Sequence, residues 1–564
     1  MTSVPMATNT LLQWLDTPSR DHGIWFYGGA DSWSFESYES LAAKARTVAL
    51  RLRQLGVDDD TIVVISLRRP LDFVAGFFGA MMLGATPAPV APLSATRVDW
   101  RTTNLRHAID TVEANPGTRA FVVADPDVIG ELGSTGQFRT PSFAMDLAAD
   151  SGSFDGAILA PSMGLLQLTS GTTGTPKAIR VPMTALMANI WSIHEWLGQD
   201  ETMAWASWMP LYHDMGLIGC LLSPLAAGAD VHLMTAEQFI RSPSAWLRAL
   251  GRNGCVFSGT TNFGLDIVSR RVRARDLEGC DFSGLRSVVV GAERIDPLSL
   301  SRFVEVTENS GFEMSMLCPA YGLGEATLAV CGTVPGTSPT VLRVARDSLQ
   351  YRGVIKPAHD GSGGTVGIVS CGRPLPGVDV AIWSGEDPSE EMVLGEIVVT
   401  APSVAAGYLG GRQDEGGPKD GCVRTGDIGF LSNGELFLVG RMGDGIKRYG
   451  RWIFAEDIDI TLRRLLGPTA RAAALLGTAS GSDLVVALVE GIDQETAGRL
   501  GEALLTAVGC CDIEVRDVPR HSILRTTSGK VRRRILWDRL TRGELPGRTQ
   551  WASLRDGMVE GTGR

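Results

Sequence analysis

Between Leu168 and Lys177 the chain reads LTSGTTGTPK, where an apolar stretch gives way to glycines, a run of hydroxyls and one lysine. Backbone N–H groups of such a turn can converge on one concavity and hold an anion, with hydroxyls and an ammonium as further donors. Glycine allows the close approach and the positive φ angles that this demands. Thr169, Ser170, Gly171, Thr172, Thr173, Gly174 and Lys177 therefore read as a phosphate cradle. The spacing is not the G-x-x-x-x-G-K-[ST] loop, because Gly171 and Gly174 stand too close and the lysine follows Thr175-Pro176.

Such a turn must be held by a scaffold, and the surrounding sequence supplies one. Residues 36–56 carry apolar positions at helical spacing and stop at a glycine, 61–67 reads as a buried strand, and 72–83 as a second helix. Apolar strands return at 119–125, 230–234 and 285–291, separated by helical stretches, which predicts parallel sheets covered on both faces. A Gly-rich break near 360 precedes short alternating strands, and strand and helix patterns resume after Arg441. At 564 residues the chain must divide into more than one domain. Its net charge of −11 argues against a nucleic-acid partner. The nine cysteines include no C-x-x-C pair, and no secretory signal opens the chain, which predicts reduced thiols and a cytoplasmic protein. The uncharged run from Phe73 to Thr96 holds Pro87, Pro89 and Pro92, so no membrane span is expected.

LTSGTTGTPK resembles the phosphate loop of the adenylate-forming superfamily, which includes acyl-CoA synthetases and fatty acyl-AMP ligases. The resemblance continues in order through WMPLYHDMGLIG (208–219), GAERIDP (291–297), AYGLGEATL (320–328), VRTGDIGFL (423–431), GRMGDGIKRYG (440–450) and RTTSGKVRR (525–533). The fatty acyl-AMP ligase branch is nearest in wording, through PLYHDMGLIG, YGLGEATL and VSCGRPLPG. That branch carries an insertion just before the last string, a place occupied here by residues 342–368.

The resemblance implies an α/β fold with three parts. A large N-terminal domain (1–440) of stacked sheets and helices, with a β-rich subdomain, would hold ATP and the acid. A hinge (441–447, centred on Asp444) and a small mobile α/β domain (448–564) would follow. It implies attack of a carboxylate on the α-phosphate of ATP, giving acyl-AMP and pyrophosphate. The loop 169–177 would hold the outer phosphates and Glu325 the Mg²⁺ ion. Tyr321 and Gly322 would line the adenine slot opposite Ala292 and Glu293, Asp427 would accept both ribose hydroxyls, and Arg441 would add a ribose or phosphate contact. His213 would face the acid's carboxylate, and Lys530 would reach in from the small domain. Trp205, Trp208, Phe257 and Phe263 are candidates for the acyl pocket. The acyl group would pass to the phosphopantetheine thiol of an acyl carrier protein or of CoA.

Other readings are a CoA ligase releasing acyl-CoA, a partial enzyme running only the thioester step, and a non-catalytic nucleotide-binding scaffold. One departure bears on the thiol step: G-x-x-I-x-P-x-E-I-E is usual after the hinge, whereas GRWIFAEDID has Ala455, Asp457 and Asp459.

Overall fold

The computed structural model describes residues 10–92, 98–134, 140–148, 152–168, 177–349, 353–358, 365–385, 388–411, 417–448, 451–467, 470–479, 482–508, 511–525 and 529–553. It is an α/β protein, as the alternation of strands and helices predicts. Its central sheet has nine strands, in the order Arg373–Pro374, Ala329–Gly332, Leu317–Gly322, Ser287–Val290, Phe257–Thr260, Trp205–Ser207, Val231–Leu233, Gly23–Gly29 and Ser32–Ser37. The interior pairings are parallel and the outermost ones antiparallel. A second, wholly parallel sheet joins Thr86–Pro89, Thr61–Ser66, Arg119–Ala124 and Ser142–Ala144. Thr61–Ser66 lies within it as a fully buried strand, as expected for a run of β-branched residues in a parallel sheet. The uncharged run after Phe73 is a buried helix, Pro70–Met81, and a short strand. No helix among the described residues is long and apolar enough to cross a membrane. The described cysteines that can be assigned are free thiols.

The β-rich part is an antiparallel sheet of Asp379–Trp383, Gly395–Thr400, Cys422–Ser432 and Glu435–Arg441. The segment expected as an insertion is tied to it. Val341–Ala345 pairs with Thr365–Val369, and the intervening backbone bonds to residues 392–394 through Ile355 N to Met392 O (2.7 Å) and Leu394 N to Gly353 O (3.0 Å). Val344, Leu349, Ile355 and Ile368 share one buried cluster with Ile428, Phe430, Val439 and Phe454. Phe454 stacks on Trp452 and lies so close to Gly440 that any side chain there would collide with it.

Beyond Gly445 the chain builds a further four-stranded sheet, Ala472–Ala479, Ser482–Glu490, Asp512–Val518 and Arg548–Ser553, flanked by helices Ala455–Leu466, Gln494–Val508 and Arg533–Thr541. Two hydrophobic clusters there draw on no residue before Ile446, so this region carries a core of its own.

Candidate active site

In an open parallel sheet the carboxyl ends of the strands are the natural ligand edge, because loops leaving there point the same way. Here that edge delivers Asn262, Gly291, Ala292, Tyr321 and Gly322 to one cavity of about 1230 Å³. The residues after Gly445 close its other side. Among the predicted residues, Lys177, His213, Ala292, Glu293, Tyr321, Gly322, Glu325, Asp427, Arg441, Asp444 and Lys530 all line it. They come from distant parts of the sequence, and only the sheet order brings them together. Thr169 to Gly174 lie outside the described residues.

Strand alternation explains the apolar arm of this cavity. Gly259 pairs with Val289, Val289 with Cys318, and Phe257 with Trp205. With a period of two, Trp205, Gly259, Val289 and Ala320 fall on one face of the sheet, and all four line the cavity. Opposite them stand Ile193, Trp196 and Leu197 of helix Met183–Leu197, and Met215, Gly219 and Cys220. A side chain at Gly259 would come within 2.8 Å of Cys220 Sγ and 3.1 Å of the Met215 methyl, so glycine keeps the arm open. Phe263 also lines the cavity. Trp208 and Phe257 correct the expectation for the acyl wall, because both are fully buried and neither lines the cavity. Trp208 stacks on Phe239 at 4.2 Å between ring centroids, and Phe257 packs on Trp205, so both belong to the core.

His213 and Asp214 immediately precede a π-helical segment, Met215–Leu222, a rare wide turn that recurs at functional sites. Asp214 accepts from the Met215 N–H at 2.8 Å. Burial pushes the His213 imidazole down to about 4, and the charges of Arg532 and Lys530 add to the effect, so the ring is neutral at pH 7. Gln167, on the strand entering the phosphate loop, donates to Tyr212 O at 3.2 Å and ties that strand to the His213 turn.

On another wall of the cavity, Tyr321 donates its hydroxyl to Asp427 Oδ2 at 2.8 Å, and Arg441 Nε lies 3.4 Å from Asp427 Oδ1. The adjacent strands Cys422–Ser432 and Glu435–Arg441 set this pair, with Asp427 and Arg441 directly opposite in register. Burial raises the Asp427 carboxyl, and Arg441 opposes that rise. Burial also works against the Arg441 charge, but Asp427 and Glu325 outweigh it and hold the guanidinium above its usual value. Ala292 sits at φ 69°, a left-handed conformation that costs a non-glycine residue roughly 1–3 kcal/mol and marks a shaped loop.

Tyr408 was not legible as a site residue. Its hydroxyl donates to Glu325 Oε1 at 2.8 Å, and the Lys177 ammonium lies 4.5 Å from its ring centroid. An aromatic beside Gly407 has no chemical signature in sequence, and only the tertiary structure brings it to Glu325 and Lys177. Glu456 also lines the cavity, with one carboxylate oxygen buried and unpartnered. Burial pushes it up to about 7 against the pull of Arg533, with Asp444 and Asp459 adding repulsion. No cluster of metal-ligating side chains occurs among the described residues. Glu325 keeps acceptor capacity beyond the Tyr408 bond, which suits a single-carboxylate hold on a phosphate-bound Mg²⁺.

Comparison with known proteins identifies the family. Residues 16–409 match the profile of the AMP-binding enzyme family. A long-chain-fatty-acid–AMP ligase of Mycobacterium marinum, FadD26, is 30% identical over 535 residues, covering 88% of this chain and 90% of its own. A solved structure from studies of the fatty acyl-adenylate ligases of E. coli and L. pneumophila superposes with a TM-score of 0.83 at 27% identity, covering 95% of this chain and 97% of that one. The L. pneumophila fatty acyl-adenylate ligase in complex with acyl adenylate and pyrophosphate shares the fold, with a TM-score of 0.70 at 23% identity over 97% of both chains. The chain belongs to the AMP-binding enzyme family.

Proposed function

We propose that this ligase activates a fatty or lipid-like carboxylic acid with ATP, forming acyl-AMP and releasing pyrophosphate. The observation that carries this reading is the meeting, in one cavity of about 1230 Å³, of the Tyr321–Asp427–Arg441 cluster, Glu325, His213 and Lys530 with an apolar wall.

Each residue takes its part from charge and position. Asp427 accepts the ribose hydroxyls, a role for a carboxylate with two oxygens in fixed orientation. Arg441 holds Asp427 in place and adds positive charge near the phosphates. Ala292, Glu293, Tyr321 and Gly322 bound the adenine. The loop 169–177 holds the outer phosphates. Glu325 would hold Mg²⁺, which would supply charge neutralisation at the phosphates. His213, neutral, orients the acid's carboxylate without trapping it in a strong ion pair. Lys530 places an ammonium where charge concentrates as the carboxylate attacks the α-phosphate. Preorganised donors of this kind act mainly on the transition state. The acyl group then passes to a phosphopantetheine thiol on an acyl carrier protein or on CoA, and the reduced thiols fit a cytoplasmic setting.

The test is pyrophosphate release across a panel of carboxylic acids, with and without CoA or a carrier protein. Release that rises with alkyl length supports the reading, and absence of release with every acid refutes it. Release of acyl-CoA as rapid as adenylation would favour the acyl-CoA synthetase alternative.

A further inference from the structure

The loop 292–296 faces two ways. Ala292, Glu293 and Arg294 line the cavity, and Arg294 and Asp296 also reach the helix Ala455–Leu466. Arg294 Nη1 lies 2.6 Å from Asp457 Oδ1 and donates to Val439 O at 2.9 Å. Arg463 Nε lies 3.1 Å from Asp296 Oδ2. The side chains of Arg294 and Asp296 are only 3% and 2% exposed, so both pairs are anchored inside the contact between the two parts.

The pairs are crossed. The loop offers a positive and then a negative charge, and the helix a negative and then a positive one. Reversing the helix against the loop would therefore appose like charges. Mismatches of that kind are how charge patterns exclude wrong registers. Arg294 also keeps Nε and Nη2 buried without partners. A buried ion pair that is incompletely satisfied adds little net stability, because desolvation offsets most of the attraction. Such a contact specifies a register without locking it, which suits a surface that must separate.

The same body carries the loop of Lys530. Gly529, at φ 91°, packs so tightly on Phe263 that a Cβ there would collide with the ring. Helix 455–466 and the Lys530 loop are thus two separate points at which this body rests on the rest of the molecule.

We propose that Arg294, Asp296, Asp457 and Arg463 form a crossed-charge latch that registers the small domain in the arrangement in which Lys530 faces the cavity. They are positioning residues for adenylation that act through the placement of the Lys530 loop, and Arg294 and Arg463 also border the cavity. This inference rests on the adenylation reading above for its kinetic consequence, but not for its geometry.

The experiment uses the full chain. Arg294→Asp and Asp457→Arg should each slow pyrophosphate release about 30-fold or more, in line with the cost of breaking one partner of a buried pair. ATP affinity by calorimetry should change less than about threefold, because the Tyr321–Asp427–Arg441 cluster proposed for the nucleotide is left intact. The swap Arg294→Asp with Asp457→Arg should recover most of the rate, whereas Arg294→Asp with Arg463→Asp should not. Small-angle scattering reads the arrangement without activity: each single variant should expand and the swap should return to the parent radius. If the parent releases no pyrophosphate, the functional reading fails and the latch is judged on scattering alone. Single variants that keep both rate and radius, or a swap no better than the mismatched double variant in either readout, would overturn the latch.

Discussion

Tyr408 holds Glu325 by a 2.8 Å hydrogen bond while its ring lies beneath the Lys177 ammonium. One side chain thus spaces the carboxylate proposed for the metal from the lysine proposed for the outer phosphates. Tyr408→Phe keeps the ring and removes only the hydroxyl. A hydrogen bond to a charged group contributes about 1.5–3 kcal/mol, so adenylation should fall by roughly 10-fold or more. Excess Mg²⁺ should recover part of that loss in a pyrophosphate-release assay. A rate unchanged at limiting Mg²⁺ would remove Tyr408 from the site.

Lys530 and Asp444 should divide the two half-reactions. Lys530→Ala should slow adenylation on the order of 10²–10³-fold, the usual cost of one preorganised donor. Transfer from supplied acyl-AMP to a thiol should be spared. Asp444→Pro fixes φ at the proposed hinge and should do the reverse. Parallel loss of both steps in both variants would favour a single fixed arrangement.

The 342–368 segment should govern what becomes of the adenylate. Because it shares a buried cluster with Phe454, it packs where rotation of the small domain would begin. The intact chain should accumulate acyl-AMP and make little acyl-CoA from free CoA. Shortening the segment between Ala345 and Thr365 should increase acyl-CoA, measured by chromatography of the reaction products. Rapid acyl-CoA synthesis by the parent would refute the restraint.

Glu456 should make the docked arrangement sensitive to pH. Docked, its carboxyl sits near 7; in water it would return toward the ordinary 4.5. The docked state therefore binds the proton more tightly, and its stability is fullest below about 4.5 and is lost as pH rises through about 7. The facing charges are Arg533, which opposes the rise, and Asp444 and Asp459, which reinforce it. In thermal unfolding between pH 5 and 8, the parent should lose stability relative to Glu456→Gln as pH rises. Parallel pH dependences for the two would count against a buried, protonated Glu456.

Much of the scaffold was legible because its signals are local. The strand read at 61–67 is Thr61–Ser66, and the helix read at 36–56 is Tyr38–Gln54, capped by Ser37. The helix read at 72–83 begins earlier, at Pro70, because proline is well suited to a first turn where no N–H bond is lost. The π-helical turn after Asp214 was not legible, since its apolar run fits an ordinary buried helix equally well. In the site, residues inside distinctive strings could be named in advance. Tyr408 lies in no such string, and although Arg294 and Asp457 stand in quoted stretches, the roles of all three lie in pairings across 83, 145 and 163 residues of sequence, which no local pattern reveals. Aromatic residues misled at Trp208 and Phe257, where the same hydrophobicity that suits an acyl wall also suits the core.

The Phe454 cluster would give the proposed hinge a thermal character. Turning the small domain away would draw Phe454 out from among Val344, Leu349, Ile355 and Val439 and wet the surfaces left behind. Exposing apolar surface raises heat capacity, and the hydrophobic force resisting exposure weakens on cooling. Parting the crossed ion pairs would instead expose charged groups, which lowers heat capacity, so the two contacts differ in the sign of their heat-capacity change. The balance between the two restraints on the proposed rotation therefore shifts with temperature, and the fate of the adenylate would become a function of temperature as well as of which thiol is offered.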